Sequence, residues 1–306
     1  MLQGFLNHLK SKRYSPLTVE SYEKDLRDLE KFLLQREGIS EIKDADKKQL
    51  RNFIISLSLK DLSERTINRK ISSIRSFFKF LLKTEEITLN PAANLQNLKL
   101  KKKVLVPYAE EEIQLLENLI ITELEKNTEN EFEKTRNQLI FELFYQTGIR
   151  RIELIQLKTS KIDLTNKTIR IIGKRNKERL IPITGELSMK IKNYLNIRQK
   201  SNLISNDYFF VDNKGQVLKE KFVYNLINKY LSAVTTKQKK SPHMLRHTFA
   251  SHLLHNGAEL NSIKEILGHS SLAATQVYTH NNIEDLKKVF NQSHPFGRKK
   301  QNENEN

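Results

Sequence analysis

His243 and Arg246 stand three residues apart in Ser241-Pro-His-Met-Leu-Arg-His-Thr-Phe-Ala-Ser-His-Leu-Leu-His255, a spacing that puts both on one face of a helix. Leu267-Gly-His269 follows, and Tyr278 comes nine residues after His269 in Gln276-Val-Tyr-Thr-His280. Guanidinium, imidazole and phenol groups in one stretch, without acidic metal ligands, suit phosphoryl transfer with a tyrosine nucleophile. Zinc is the competing reading of His243 and His247, which are four apart. A zinc-protease helix needs glutamate directly after the first histidine, and Met244 stands there. No carboxylate lies between Ser241 and His255, so no metal is expected. Leu245, Phe249, Leu253 and Leu254 read as core, and His252 and His255 as surface or packing residues.

A second basic motif lies upstream. In Gln146-Thr-Gly-Ile-Arg-Arg-Ile-Glu-Leu154 the glycine breaks a helix and Arg150 opens the next one. Arg150 is either a surface charge or a guanidinium set beside a helix N-terminus to hold a phosphate oxygen. Glu153, one turn on, is placed to orient it.

Composition points the same way. The 306 residues carry 53 Lys+Arg against 36 Asp+Glu, a formal charge of +17. Residues 1–100 hold 19 basic and 13 acidic side chains, and residues 101–306 hold 34 and 23, so both parts are basic. The excess favours nucleic acid over a membrane surface as partner. With no cysteine, disulfides, thiolate metal sites and cysteine nucleophiles are excluded. No apolar run nears the roughly 20 residues of a membrane span, and the N-terminus is not a signal peptide. A soluble cytoplasmic, nucleoid-associated protein is expected.

Two domains must position these groups. Ser15-Pro16 caps a helix whose apolar face is Val19, Tyr22, Leu26, Leu29, Phe32 and Leu33. A shorter pattern covers about 47–59, and Ser63 starts a helix with Ile67, Ile71, Ile74, Phe78 and Leu81 inward. With a weak N-terminal helix, 1–97 makes a bundle of about four helices. Arg65, Arg69, Lys70, Arg75, Lys79 and Lys83 lie away from the Ser63 helix's apolar stripe, either as a phosphate-contacting face or an ordinary solvated one. A basic linker, 98–107, contains Lys101, Lys102 and Lys103. Beyond it, helices over 110–126 and about 131–145 precede short strands at 161–164, 168–172 and 178–183. Residues 173–177 form the hairpin turn. Helices around 186–198, 219–234 and 283–290 follow, and 297–306 reads as a polar, disordered tail. The fold class is therefore mainly α with a small antiparallel β-sheet.

Thr147-Gly-Ile-Arg150, Gly173-Lys174, His243-Met-Leu-Arg246, Leu267-Gly-His269 and Tyr278 together resemble the signature of the tyrosine recombinases (lambda-integrase family). Residues 241–280 are especially similar to the bacterial Xer recombinases. The likeness covers nearly the whole chain. It implies a SAM-like core-binding domain over 1–97 and an α+β catalytic domain over 108–296.

The resemblance also implies roles. Tyr278 is the nucleophile that attacks DNA phosphorus and leaves a 3′-phosphotyrosyl link. Arg150 and Arg246 hold the non-bridging oxygens, and Lys174 protonates the departing 5′-oxygen. His243 and His269 bind phosphate and assist proton transfer, with Glu153 behind Arg150. Arg175 and Lys177 on the hairpin join Arg65, Arg69, Arg75, Lys79 and Lys101 to Lys103 as DNA-binding candidates. No cofactor is expected, neither metal nor ATP. The implied partner is a double-stranded DNA recombination site, bound by a homo- or hetero-tetramer whose C-terminal helices dock in trans. A septal DNA translocase is a further expected partner. The expected role is Xer-type chromosome dimer resolution through a Holliday junction, favoured by the absence of an extra arm-binding domain before residue 1. An integrase or invertase of a mobile element and a non-catalytic DNA-binding regulator are the rivals.

Overall fold

The computed structural model describes residues 1–100, 105–126, 130–173, 178–203, 207–268 and 280–296. The chain divides into two compact units, Met1–Val104 and Leu105–Asn306.

The first unit is a helical bundle: α1 (Leu2–Ser11), α2 (Pro16–Phe32, running on through one π turn to Glu37), α3 (Lys47–Leu59) and α4 (Glu64–Lys83). The starts follow local chemistry. Ser15 Oγ accepts from the Thr18 amide, Asp46 and Gln49 form a reciprocal capping box, and Ser63 Oγ accepts from the Thr66 amide. Phe5, Leu26, Leu29, Leu50, Ile71, Ile74 and Phe78 close the core.

One expectation fails in this bundle. Lys70 is not on the outer face of α4 but buried, 2.6 Å from Asp28 and 3.1 Å from Asp25. Asp25 is fully buried on α2, and a buried carboxylate requires a cation beside it. Its neighbours on α4 are Lys70, Arg69 and the Ser73 hydroxyl.

The second unit packs helices around a three-stranded antiparallel sheet, in the order β1-β2-β3. These strands are β1 (Ile162–Asp163), β2 (Thr168–Ile172) and β3 (Glu178–Pro182), with Ile169 opposite Ile181. The helices are α5 (Glu110–Lys126), α6 (Glu131–Thr147), α7 (Arg151–Ile155), α8 (Gly185–Lys200), α9 (Glu220–Val234), α10 (Pro242–His255), α11 (Leu260–Leu267) and α12 (His280–Ser293). The aromatic and aliphatic faces of α6, α8 and α10 build one core with Phe209, Phe210 and Ile181. Leu254 is not part of it; this residue of α10 is exposed.

Helix α11 went unread in the sequence. Its apolar residues Ile263, Ile266 and Leu267 are spaced as on one helix face, and Gly268 ends it at φ +65°, but eight residues hold too few repeats for periodicity to register. Among the last described residues, Phe290, His294 and Phe296 lie against Phe249 and Tyr145 of the same unit.

Candidate active site

Three arginines converge on the C-terminal end of α11. Arg150 opens α7, where its backbone N–H donates to Glu153 Oε2 at 2.9 Å and its Nη1 to Oε1 at 2.7 Å. Its Nη2 donates to the Gly268 carbonyl at 3.2 Å. Arg246 lies on α10 and is buried, donating from Nη1 to the Gly148 carbonyl and from Nη2 to the Leu267 carbonyl at 2.6 Å. Arg179, on β3, donates from Nε to the Ile266 carbonyl at 2.9 Å and grips Glu153 through Nη1 and Nη2 at 3.0 and 2.7 Å. The last carbonyls of a helix carry partial negative charge and lack intrahelical donors, so guanidinium groups settle there.

Two glycines permit the convergence. Gly148 ends α6 at φ +58°, and a Cβ there would fall 2.6 Å from Phe249 Cδ1 and 2.8 Å from Leu267 Cδ2. A Cβ on Gly268 would fall 2.9 Å from Arg179 Cδ. Any side chain would push α10, α11 or Arg179 away, beyond the strain of the left-handed backbone.

Electrostatically, this cluster sets two guanidinium groups on one carboxylate with a third, that of Arg246, close enough to feel all three charges. Burial works to raise the pKa of Glu153, but the hydrogen bonds and charge of Arg179, followed by those of Arg150, hold it down to about 2. For Arg246, burial and then the nearby charges of Arg150 and Arg179 push the guanidinium pKa down to about 9. A cation made costly in this way gains most from an arriving anion. His243, on the first turn of α10, is exposed. Its pKa is lowered, by desolvation first and then by Arg246, His247, Arg150 and Lys239, so the ring is neutral near pH 7 and offers one acceptor nitrogen.

The Glu153 shift has a measurable consequence. Its folded pKa lies below the ordinary 4.5, so the stability it contributes is present above that value and is lost as pH falls toward about 2. The drop from 4.5 to about 2 corresponds to about 3 kcal/mol. Urea titrations at pH 7 and pH 3 should show that part of the acid sensitivity missing in Glu153→Gln. An identical acid response in both proteins would contradict the assignment.

Thus the structure brings Arg150, Glu153 and Arg246 to one place, and His243 lies one turn before Arg246 on the same helix. Arg179 is the member of this cluster that the sequence reading missed. Its signal was available: strand alternation puts it on the inward face with Ile181, and a buried arginine demands a carboxylate partner. Lys174, Arg175, Lys177, His269, Tyr278, Lys101, Lys102, Lys103 and the 297–306 tail lie outside the described residues. Of the DNA-binding candidates on α4, Arg65 and Lys79 are exposed. Arg69 pairs with Asp25, and Arg75 Nη1 donates to Asn97 Oδ1 at 3.1 Å. His252 is a packing residue: Nε2 donates to the Tyr108 carbonyl at 2.8 Å, and Nδ1 lies 3.0 Å from the Tyr145 hydroxyl. No group of three or more His, Cys, Asp or Glu side chains that could hold a metal occurs among the described residues. No described helix is long and apolar enough to cross a membrane.

The profile of the phage integrase family matches residues 121–285, and that of the phage integrase N-terminal SAM-like domain matches residues 2–85. The chain belongs to the phage integrase family of tyrosine recombinases. This recombinase is 35% identical over 304 residues to tyrosine recombinase XerC of Thermodesulfovibrio yellowstonii, covering 97% of each chain. It is 34% identical over 298 residues to tyrosine recombinase XerC of Staphylococcus epidermidis, covering 97% of this chain and 98% of the relative. The XerH site-specific recombinase in its post-cleavage complex with palindromic difH substrate superimposes with a TM-score of 0.71 at 24% identity, over 92% of this chain and 81% of that one. The Tn1549 transposon integrase in complex with transposon right end DNA gives 0.68 at 18% identity, over 94% and 98%. At these identities the structural likeness speaks for the fold: a SAM-like helical domain followed by a tyrosine-recombinase catalytic domain.

Proposed function

We propose that this recombinase cuts and rejoins double-stranded DNA at a specific site, with Tyr278 as nucleophile. One observation carries the reading: the net-cationic cluster of half-buried Arg150 and buried Arg246 and Arg179 at the end of α11, with Glu153 as its one carboxylate, a charge arrangement complementary to a phosphodiester. The Tyr278 phenolate oxygen bonds to phosphorus as the bond to the 5′-oxygen breaks. The products are a 3′-phosphotyrosyl link and, once Lys174 has given its proton to the departing oxygen, a 5′-hydroxyl. Arg150 and Arg246 hold the two non-bridging oxygens while charge builds. His243, neutral and beside them, and His269 bind phosphate and move the proton of the tyrosine. The covalent link keeps the phosphodiester's energy, so rejoining needs no ATP, and guanidinium groups supply the charge that many nucleases draw from a metal.

The likeness to the two XerC proteins favours chromosomal dimer resolution in the cytoplasm, at the nucleoid. Four recombinase subunits, alike or of two kinds, would assemble on the site, pass through a Holliday junction, exchange C-terminal helices and respond to a septal translocase. The fold shared with the Tn1549 transposon integrase supports a second reading, integration or inversion of a mobile element. A palindromic site with a short central spacer near the replication terminus distinguishes the first from the second, which predicts mobile-element genes alongside.

The test uses a nicked suicide duplex carrying the site that this protein selects from random-sequence DNA. The wild type should form a denaturant-resistant, protease-sensitive protein–DNA adduct at the same rate in excess EDTA. A strict requirement for magnesium would overturn the metal-free mechanism. Binding without any adduct would leave a DNA-binding regulator.

A further inference from the structure

The geometry points to Arg179 as a positioning residue that locks the carboxylate of Glu153, and through it Arg150, to the hairpin strand β3 and to the end of α11. This inference rests on the recombinase reading above and assigns a further residue to the same site.

Arg179 does not offer its charge to DNA, because its guanidinium is spent on the Glu153 carboxylate, whereas Arg246, just as buried, donates only to neutral carbonyls. All three of its nitrogens are engaged, Nε on Ile266 and the two Nη atoms on Glu153. Glu153 is used as fully from the other side: Oε1 accepts from both Arg150 Nη1 and Arg179 Nη1, and Oε2 from the Arg150 amide and Arg179 Nη2. A two-pronged guanidinium–carboxylate contact fixes the carboxylate plane as well as its distance. The plane of Glu153 in turn aims Arg150. Arg179 thus joins β3, α7 and α11 through one side chain. In the sequence those elements adjoin Lys174, Arg150 and His269, so one residue links the mountings of three catalytic groups.

Simple folding does not explain the choice. Ile181 on this strand and Ile183 just beyond it are buried on the same side, and an aliphatic residue in their company would avoid burying a charge. Gly268 supports the same conclusion from the far side, since its missing Cβ is the space that the Arg179 stem occupies.

The test is a double-mutant cycle on single-turnover adduct formation, using the nicked duplex described above. Arg179→Met should slow adduct formation about 10–100-fold, the scale of losing an outer partner of an active-site ligand. The half-saturating DNA concentration should stay within about threefold, because Arg179 does not touch DNA. In an Arg150→Ala background the same substitution should cost less than about threefold, since the residue it aims is gone. Equal losses in both backgrounds would mean a role in folding alone and overturn the assignment, as would an unchanged rate. Arg179→Lys goes through the same cycle, so a Met variant that melts below the assay temperature does not end the test. Lysine keeps the charge but cannot grip Glu153 and Ile266 together, and should recover the melting temperature more completely than the rate. No adduct from the wild type would instead sink the recombinase reading, and this assignment with it.

Discussion

Tyr278→Phe should abolish the covalent protein–DNA adduct while DNA affinity stays close to that of the wild type. Removing a nucleophilic oxygen leaves no atom to carry the phosphoryl group, and losses of this kind reach several orders of magnitude. DNA is held chiefly by cations on phosphates, so the phenol's contribution to binding is small. The chain has nine tyrosines, and three of the others are ruled out by burial. Tyr108 and Tyr194 are each pushed up to about 12, chiefly by desolvation, and their hydroxyls donate to the Lys239 and Phe209 carbonyls. Tyr145 is shifted further up by burial, with its hydroxyl held against His252. Tyr14 and Tyr224 are exposed, so peptide mapping of the wild-type adduct and a Tyr224→Phe control complete the experiment. DNA found on any tyrosine but Tyr278 would contradict the assignment.

Arg246→Ala should lower the single-turnover cleavage rate by about 10²–10³, the loss expected for one preorganised charge contact to the transition state. Two opposing effects act on folding. The substitution orphans the Gly148 and Leu267 carbonyls, at about 1–3 kcal/mol each if no water replaces the guanidinium. It also removes a desolvated cation from beside Arg150 and Arg179, which relieves repulsion. The melting temperature should therefore fall less than the lost hydrogen bonds alone imply, leaving a folded protein whose rate can be read. Arg246→Lys restores charge but not the forked geometry, and its rate should lie between those of Ala and wild type. If Arg246→Ala cleaves at the wild-type rate, the residue serves only to hold α6 and α11 together.

Much of this molecule was legible in its sequence because the decisive signals are local. Ser15-Pro16, Ser63 and the apolar repeats of α2 and α4 act within one or two helical turns, so the helices of the first unit appear where expected. The hairpin of β2 and β3 was legible from two β-branched runs around a glycine turn. Arg150, Glu153, His243 and Arg246 stood out because each sits in a short motif whose spacing sets its place on a helix.

What escaped depends on who neutralises whom across the fold. Lys70 and Lys79 look equivalent along α4, yet one lies buried against Asp25 and the other faces solvent, because α2 brings its carboxylates to only one side. Leu254 looked like core and is exposed, since α10 turns only part of its apolar circumference inward. Arg179 drew no reading in the sequence, because only packing places Glu153 and the end of α11 around it. The sequence by itself determined the chemical groups, the helices that carry them and the basic character of the chain. Only the tertiary structure decided which charges are spent inside the protein and which remain for a phosphate, because pairing and desolvation depend on contacts between residues far apart in the chain.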